Sequence, residues 1–107
     1  MFIDQDGFEN ALKYSGKSLI IGIETLGKSH PFVAEVYNNM GEIHLEQGNL
    51  DTAHECFQNS LSILQNAGDP ENEAHVLKNM EKLYRTKGDW SKALKYYETA
   101  QAIHQDN

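Results

Sequence analysis

The stretch Gly48-Asn49-Leu50-Asp51-Thr52-Ala53-His54-Glu55-Cys56-Phe57 returns forty residues later as Gly88-Asp89-Trp90-Ser91-Lys92-Ala93-Leu94-Lys95-Tyr96-Tyr97. The glycine, the large apolar residue two places on, the alanine and the aromatic ring keep their places in both copies. The segments ahead of them also match, Val36-Tyr37-Asn38-Asn39-Met40 against Val76-Leu77-Lys78-Asn79-Met80. A partial third copy lies upstream. There Asp6-Gly7-Phe8 and Ala11 precede Gly48-Asn49-Leu50 and Ala53 by forty-two residues, and Ser18-Leu19 aligns with Ser60-Leu61. A unit of about 40–42 residues therefore recurs, the mark of a repeat architecture. Residues 1–28 read as the second helix of an incomplete unit, 29–68 as one full unit and 69–107 as the next, all within a single domain.

Within each unit the apolar spacing is helical. Val33, Val36, Tyr37, Met40, Ile43 and His44 follow a three/four rhythm that breaks at Gln47-Gly48-Asn49. Leu50, Ala53, Phe57, Leu61 and Leu64 resume it until Gly68-Asp69-Pro70. Val76, Leu77, Met80, Leu83 and Tyr84 form the next helix, and Trp90, Ala93, Leu94, Tyr97 and Ala100 the last, beyond a break at Lys87-Gly88-Asp89. Asp51 and Ser91 suit N-terminal turns, where side-chain oxygens satisfy free N–H groups. No segment calls for a strand. Each helix pair leaves an apolar face that only a neighbouring pair can cover, which gives a stack. Gly41, Ala53, Ser60, Ala93 and Ala100 suit close approach of helix axes, with Phe57, Tyr97, Tyr37 and Tyr84 filling the spaces between. The fold expected is an all-α, right-handed α-solenoid of about five helices.

Composition bounds the function. Sixteen acidic against nine basic residues give a net charge of −7 over 107 residues. Nucleic-acid binding is disfavoured, because phosphate contacts need a positive footprint. No apolar run reaches the roughly 20 residues of a membrane span, and no basic-then-apolar leader opens the chain. Cys56 is the single cysteine, so neither an internal disulfide nor a multi-thiolate site is available. These features describe a small soluble module, expected in the cytoplasm.

The spacing resembles the tetratricopeptide repeat, a helix–turn–helix with Leu-Gly, Tyr, Ala, Phe and Ala at set places. Met40-Gly41, His44, Ala53, Phe57 and Ser60 occupy those places in one unit, and Met80-Glu81, Tyr84, Ala93, Tyr97 and Ala100 in the next. The common repeat is about 34 residues long. The longer period here, the linker Leu26-Gly27-Lys28-Ser29-His30-Pro31-Phe32-Val33-Ala34 and the helix segment Tyr37-Asn38-Asn39-Met40 resemble the kinesin-light-chain subtype. The second linker, Gly68-Asp69-Pro70-Glu71-Asn72-Glu73-Ala74, departs from it by lacking His-Pro, and Lys78 replaces the first asparagine of the pair.

The resemblance implies a concave groove lined by the first helix of each unit, taking an extended peptide or a helix. The middle unit would present Glu35, Asn38, Asn39, Glu42, Leu45 and Glu46, and the last unit His75, Lys78, Asn79, Lys82, Arg85 and Thr86. The aligned Asn39 and Asn79 stand out, since an amide both donates and accepts and can clamp a ligand's backbone. Either could equally bridge neighbouring helices.

Charge is unevenly spread. Ser29 to Leu77 holds eight acidic residues and no Lys or Arg, whereas Lys78 to Lys95 holds six basic residues against Glu81 and Asp89. A bipolar groove follows, fitted to a ligand of mixed charge in the opposite order. The plainer alternative is a solvated face with cross-unit pairs such as Glu42 to Lys82, each worth at most about 1 kcal/mol. Lys78, Asn79, Lys82 and Arg85 resemble one side of the family's carboxylate clamp, but Glu35 and Glu42 stand where its cations would be needed.

His30, His44, His54, His75 and His104 show no pair three or four apart, so no metal site is expected. His44 reads as a packed ring in the family's tyrosine place, and Cys56 as a small buried hydrophobe. No phosphate loop or nucleophile–base set is present, and neither catalysis nor a cofactor is expected. The first helix, Phe8 to about Leu26, is apolar around much of its surface, and Met1 to Gln5 reads as the last turn of a missing partner helix. Gly16 and Gly22 within it cost roughly 1 kcal/mol each relative to Ala, a cost easier to understand beside a close neighbour. Tyr14, Ile20 and Ile23 are accordingly candidates for self-association.

The functional expectation is a non-catalytic module that binds a protein or peptide in its groove, as part of a longer scaffold or adaptor. The alternative is an oligomerisation or regulatory segment of a larger protein, joined through the N-terminal helix.

Overall fold

The computed structural model describes residues 5–106, with side chains over residues 7–103. Five helices follow one another: α1 (Gln5–Leu26), α2 (Pro31–Gln47), α3 (Leu50–Ala67), α4 (Pro70–Lys87) and α5 (Trp90–Asp106). No strand occurs among the described residues. Residues 1–4, part of the expected partner-helix remnant, lie outside the described residues.

Glycine ends α2, α3 and α4. Gly48, Gly68 and Gly88 take φ of +85°, +68° and +82° and return their N–H groups to the last carbonyls of the helix before. Only glycine adopts that left-handed backbone without a Cβ penalty. The helix starts are set by other residues than Asp51 and Ser91. His30 Nδ1 accepts from Phe32 N at 3.0 Å, Asp69 Oδ1 from Asn72 N at 3.3 Å, and Asp89 Oδ1 from Lys92 N at 3.2 Å. Pro31 and Pro70 stand at the first helical positions, where the missing N–H costs nothing. Asp51 does lie in the first turn of α3, and its carboxylate reaches Lys87 at 3.8 Å.

Each helix packs on its sequence neighbours, and α2 additionally touches α4. Among the described residues the second helices of successive units, α1, α3 and α5, make no such contact with one another. Axes closer on the α2–α4 side than on the other bend the stack, and that side becomes concave. The shortest dimension is 21 Å, two helix layers at the usual spacing of about 10 Å.

The core runs through the middle of the stack, with Ala34, Phe57, Leu64, Val76, Met80 and Leu83 almost wholly buried. Two small residues permit it. A Cβ on Gly41 would lie 2.5 Å from Cε1 of Phe57, and Ser60 Oγ donates to Ala34 O at 2.7 Å, tying α3 to α2. Tyr84 holds the next layer: it stands edge-on to His54 at 6.0 Å and stacks on Tyr96 at 5.4 Å. Lys87 and Lys92 lie within 5.6 and 5.3 Å of its ring. Tyr97, expected as a filler, is instead 50% exposed, because no described helix covers that side of α5.

In α1, Gly22 does meet a neighbour, since a Cβ there would lie 3.0 Å from the Phe32 ring. Gly16 does not; among the described residues nothing comes within 4 Å of its Cβ position.

Candidate functional site

Helical geometry puts Glu35, Asn39, Glu42 and Glu46 along one stripe of α2, spaced four, three and four residues apart. His75, Lys78, Lys82 and Arg85 form the matching stripe of α4. Between the N-terminal halves of the two helices lies a cleft of about 470 Å³, floored by Ser60 and Leu64 of α3. Pro31, Glu35, Asn38, Asn39, Glu71, Asn72, His75 and Lys78 line its walls. The structure thus brings together Glu35, Asn38, Asn39, His75 and Lys78 of the residues expected in the groove. Three amides, two carboxylates, an imidazole and an ammonium surround this space. Such a set can hydrogen-bond a peptide backbone and pair with charged side chains of either sign.

The two asparagines part company. Asn39 is exposed at the cleft. Asn79 is half-buried, and its Nδ2 donates to Asn38 Oδ1 at 2.8 Å and to Glu42 Oε1 at 2.9 Å. Asn38 is itself buried. Glu42 also faces His75 Nε2 at 3.6 Å, and the expected Glu42–Lys82 pair does not occur among the described residues. The reason is which faces meet: Asn79 lies on the face of α4 turned toward α2 and meets Asn38 and Glu42, one turn apart on the facing side of α2, and not its own counterpart.

The other expected residues lie elsewhere. Leu45 points into the core and not the groove. Glu46 is exposed near the end of α2, outside the cleft. Lys82 and Arg85 line a separate cleft of about 390 Å³ on the α4–α5 edge, with Lys78, Tyr97, Ala100 and Gln101. Arg85 pairs there with Glu81 at 3.2 Å. Sequence alignment did not single out Glu71 and Asn72, because they precede the aligned apolar positions and only the inter-helix gap exposes them.

On α1, Tyr14 and Ile20 are 74% and 58% exposed, and Ile21, Ile23 and Leu26 are open as well. His44 is partly buried with its Nδ1 unpaired, and burial lowers its pKa. Among the described residues no three His, Cys, Asp or Glu side chains are placed to hold a metal ion. No described helix is long and apolar enough to cross a membrane.

No curated protein matches the chain. Among solved structures it is similar to the crystal structure of BtubC (BKLC) from P. vanneervenii, with a TM-score of 0.86 and 28% identity. That match covers 94% of this chain and 41% of the other, so the chain spans well under half of that structure. The tetratricopeptide repeat family pattern matches residues 1–66 and again 32–106. Repeats of this kind serve in general as protein–protein interaction modules and are in general non-catalytic. The chain belongs to the tetratricopeptide repeat family.

Proposed function

We propose that the concave α2–α4 cleft binds an extended peptide or a helix from a protein partner, within a cytoplasmic scaffold or adaptor. The observation that carries this reading is Asn39, an exposed amide at a cleft whose other walls hold Glu35, Glu71 and Lys78. An amide free to donate and accept can grip a peptide backbone whatever its side chains. The charges then set orientation, with ligand cations toward Glu35 and Glu71 and an anion toward Lys78. Residues 1–107 act as one domain in this reading. Peptides selected from a random library on the full chain provide the test. Replacing Asn39→Ala and Lys78→Ala together should weaken them about tenfold, or roughly 1.4 kcal/mol, with unchanged helicity. Unchanged affinity would remove the groove reading.

A second reading, self-association through α1, is favoured by the open Tyr14, Ile20 and Ile23 face. Sedimentation of the full chain decides it: a dimer dispersed by Ile20→Ser with Ile23→Ser supports it, and a monomer at high concentration ends it.

A further inference from the structure

Between α2 and α4 runs a hydrogen-bond relay whose direction is fixed by its charged end. Asn79 Nδ2 donates to Glu42 Oε1 at 2.9 Å and to Asn38 Oδ1 at 2.8 Å. An ionised carboxylate only accepts, so Glu42 requires the N–H2 end of Asn79 to face α2. That end in turn requires the oxygen of Asn38 to face Asn79. The Asn38 amide is thereby kept from turning over, and its Nδ2 is the end left for the cleft that Asn38 lines. Asn38 is only 5% exposed, and its Nδ2 meets no acceptor among the described residues. A donor withheld from water and left unpaired is costly, and an oxygen entering the cleft removes that cost. Asn39 beside it differs, because its amide is exposed and turns either way.

We infer that Glu42, through Asn79, sets Asn38 as a fixed donor, and that Asn38 selects an extended partner segment by donating to one of its backbone carbonyls. This deepens the groove reading and rests on it. The donor decides between the two occupants of the cleft. In a helix each interior carbonyl already accepts from the N–H four residues on, whereas an extended segment carries free carbonyls along its length. Charge decides which oxygen enters. Two carboxylates, Glu35 and Glu71, line the cleft against one ammonium, Lys78. A neutral carbonyl therefore fits beside Asn38 better than a partner carboxylate, which like charges would repel. The same two acids suit a basic side chain on a neighbouring residue of the segment.

The probe is the tightest peptide selected on the full chain from the random library, resynthesised with each backbone amide in turn replaced by an ester, whose carbonyl accepts more weakly. One ester should lower affinity about tenfold for the unaltered chain and little for Asn38→Asp, which keeps the oxygen facing Asn79 and loses the donor. Asn38→Asp should itself weaken the parent peptide about tenfold, with unchanged helicity. In the unaltered chain the side-chain N–H2 resonances of Asn38 should move when that peptide binds. A peptide that depends on Asn39 and Lys78 but has no ester position coupled to Asn38, or leaves those resonances in place, overturns the inference while the groove reading stands. So does a peptide bound there as a helix. A peptide indifferent to Asn39→Ala with Lys78→Ala removes the groove reading, and this inference with it.

Discussion

Phe57 lies against Gly41 so closely that a Cβ at position 41 would stand 2.5 Å from one ring carbon and 2.6 Å from the next. One unit later Glu81 takes the place of Gly41, and Tyr97, in the place of Phe57, stays half-exposed. The vacancy at 41 is what lets the ring enter between α2 and α3. Gly41→Ala should therefore destabilise the chain, by about 1–3 kcal/mol through overpacking, despite Ala being the better helix former. Urea unfolding measures it; a stabilised variant would contradict the packing.

Ser60 is fully buried, and its hydroxyl donates across the α2–α3 interface to Ala34 O at 2.7 Å. Ser60→Ala should cost about 1 kcal/mol. The corresponding place in the last unit is already Ala100, so a loss there is not available to measure.

The split between the aligned asparagines is also a stability difference. Asn79→Ala leaves the buried Asn38 amide oxygen without its donor and should cost about 1–2 kcal/mol. Asn39→Ala, at an exposed site, should stay within about 0.5 kcal/mol. Equal effects in denaturant melts would contradict the hydrogen-bond assignment.

His44 gives a pH dependence of definite sign. Burial holds its pKa below the ordinary imidazole value, so the unfolded chain takes up the proton first. The stabilising contribution of neutral His44 is present above about pH 6.5 and is lost as pH falls toward the lowered folded pKa. His44→Phe should flatten the part of the stability profile that falls away below about pH 6.5. An unchanged slope would show that His44 titrates alike in both states.

Cys56 is buried, and burial first, then the neighbouring Glu55 charge, raises its pKa. Alkylation by iodoacetamide at about pH 8 should be at least about tenfold slower in the folded chain than in urea. Comparable rates would mean that α3 opens locally.

The repeated Gly48, Gly68 and Gly88 punctuation, the apolar rhythm between them and the small residues at 41, 53, 60, 93 and 100 decided, from sequence alone, an all-α stack of helix hairpins. These are local signals, because a left-handed turn, a cap or a helical face is encoded within a few residues. The same alignment paired Asn39 with Asn79, Glu42 with Lys82 and Phe57 with Tyr97 as equivalents. Tertiary structure decided what each does. Asn79 lies on the face of α4 turned toward α2 and meets Asn38 and Glu42, while Asn39 stays at the cleft and Lys82 lines the α4–α5 edge. The presence of α4 over α3 buries Phe57, and no described helix does the same for Tyr97. Equivalent residues in a repeat share a position along their own helix, but which neighbour each one meets depends on which helix faces meet and on which unit follows.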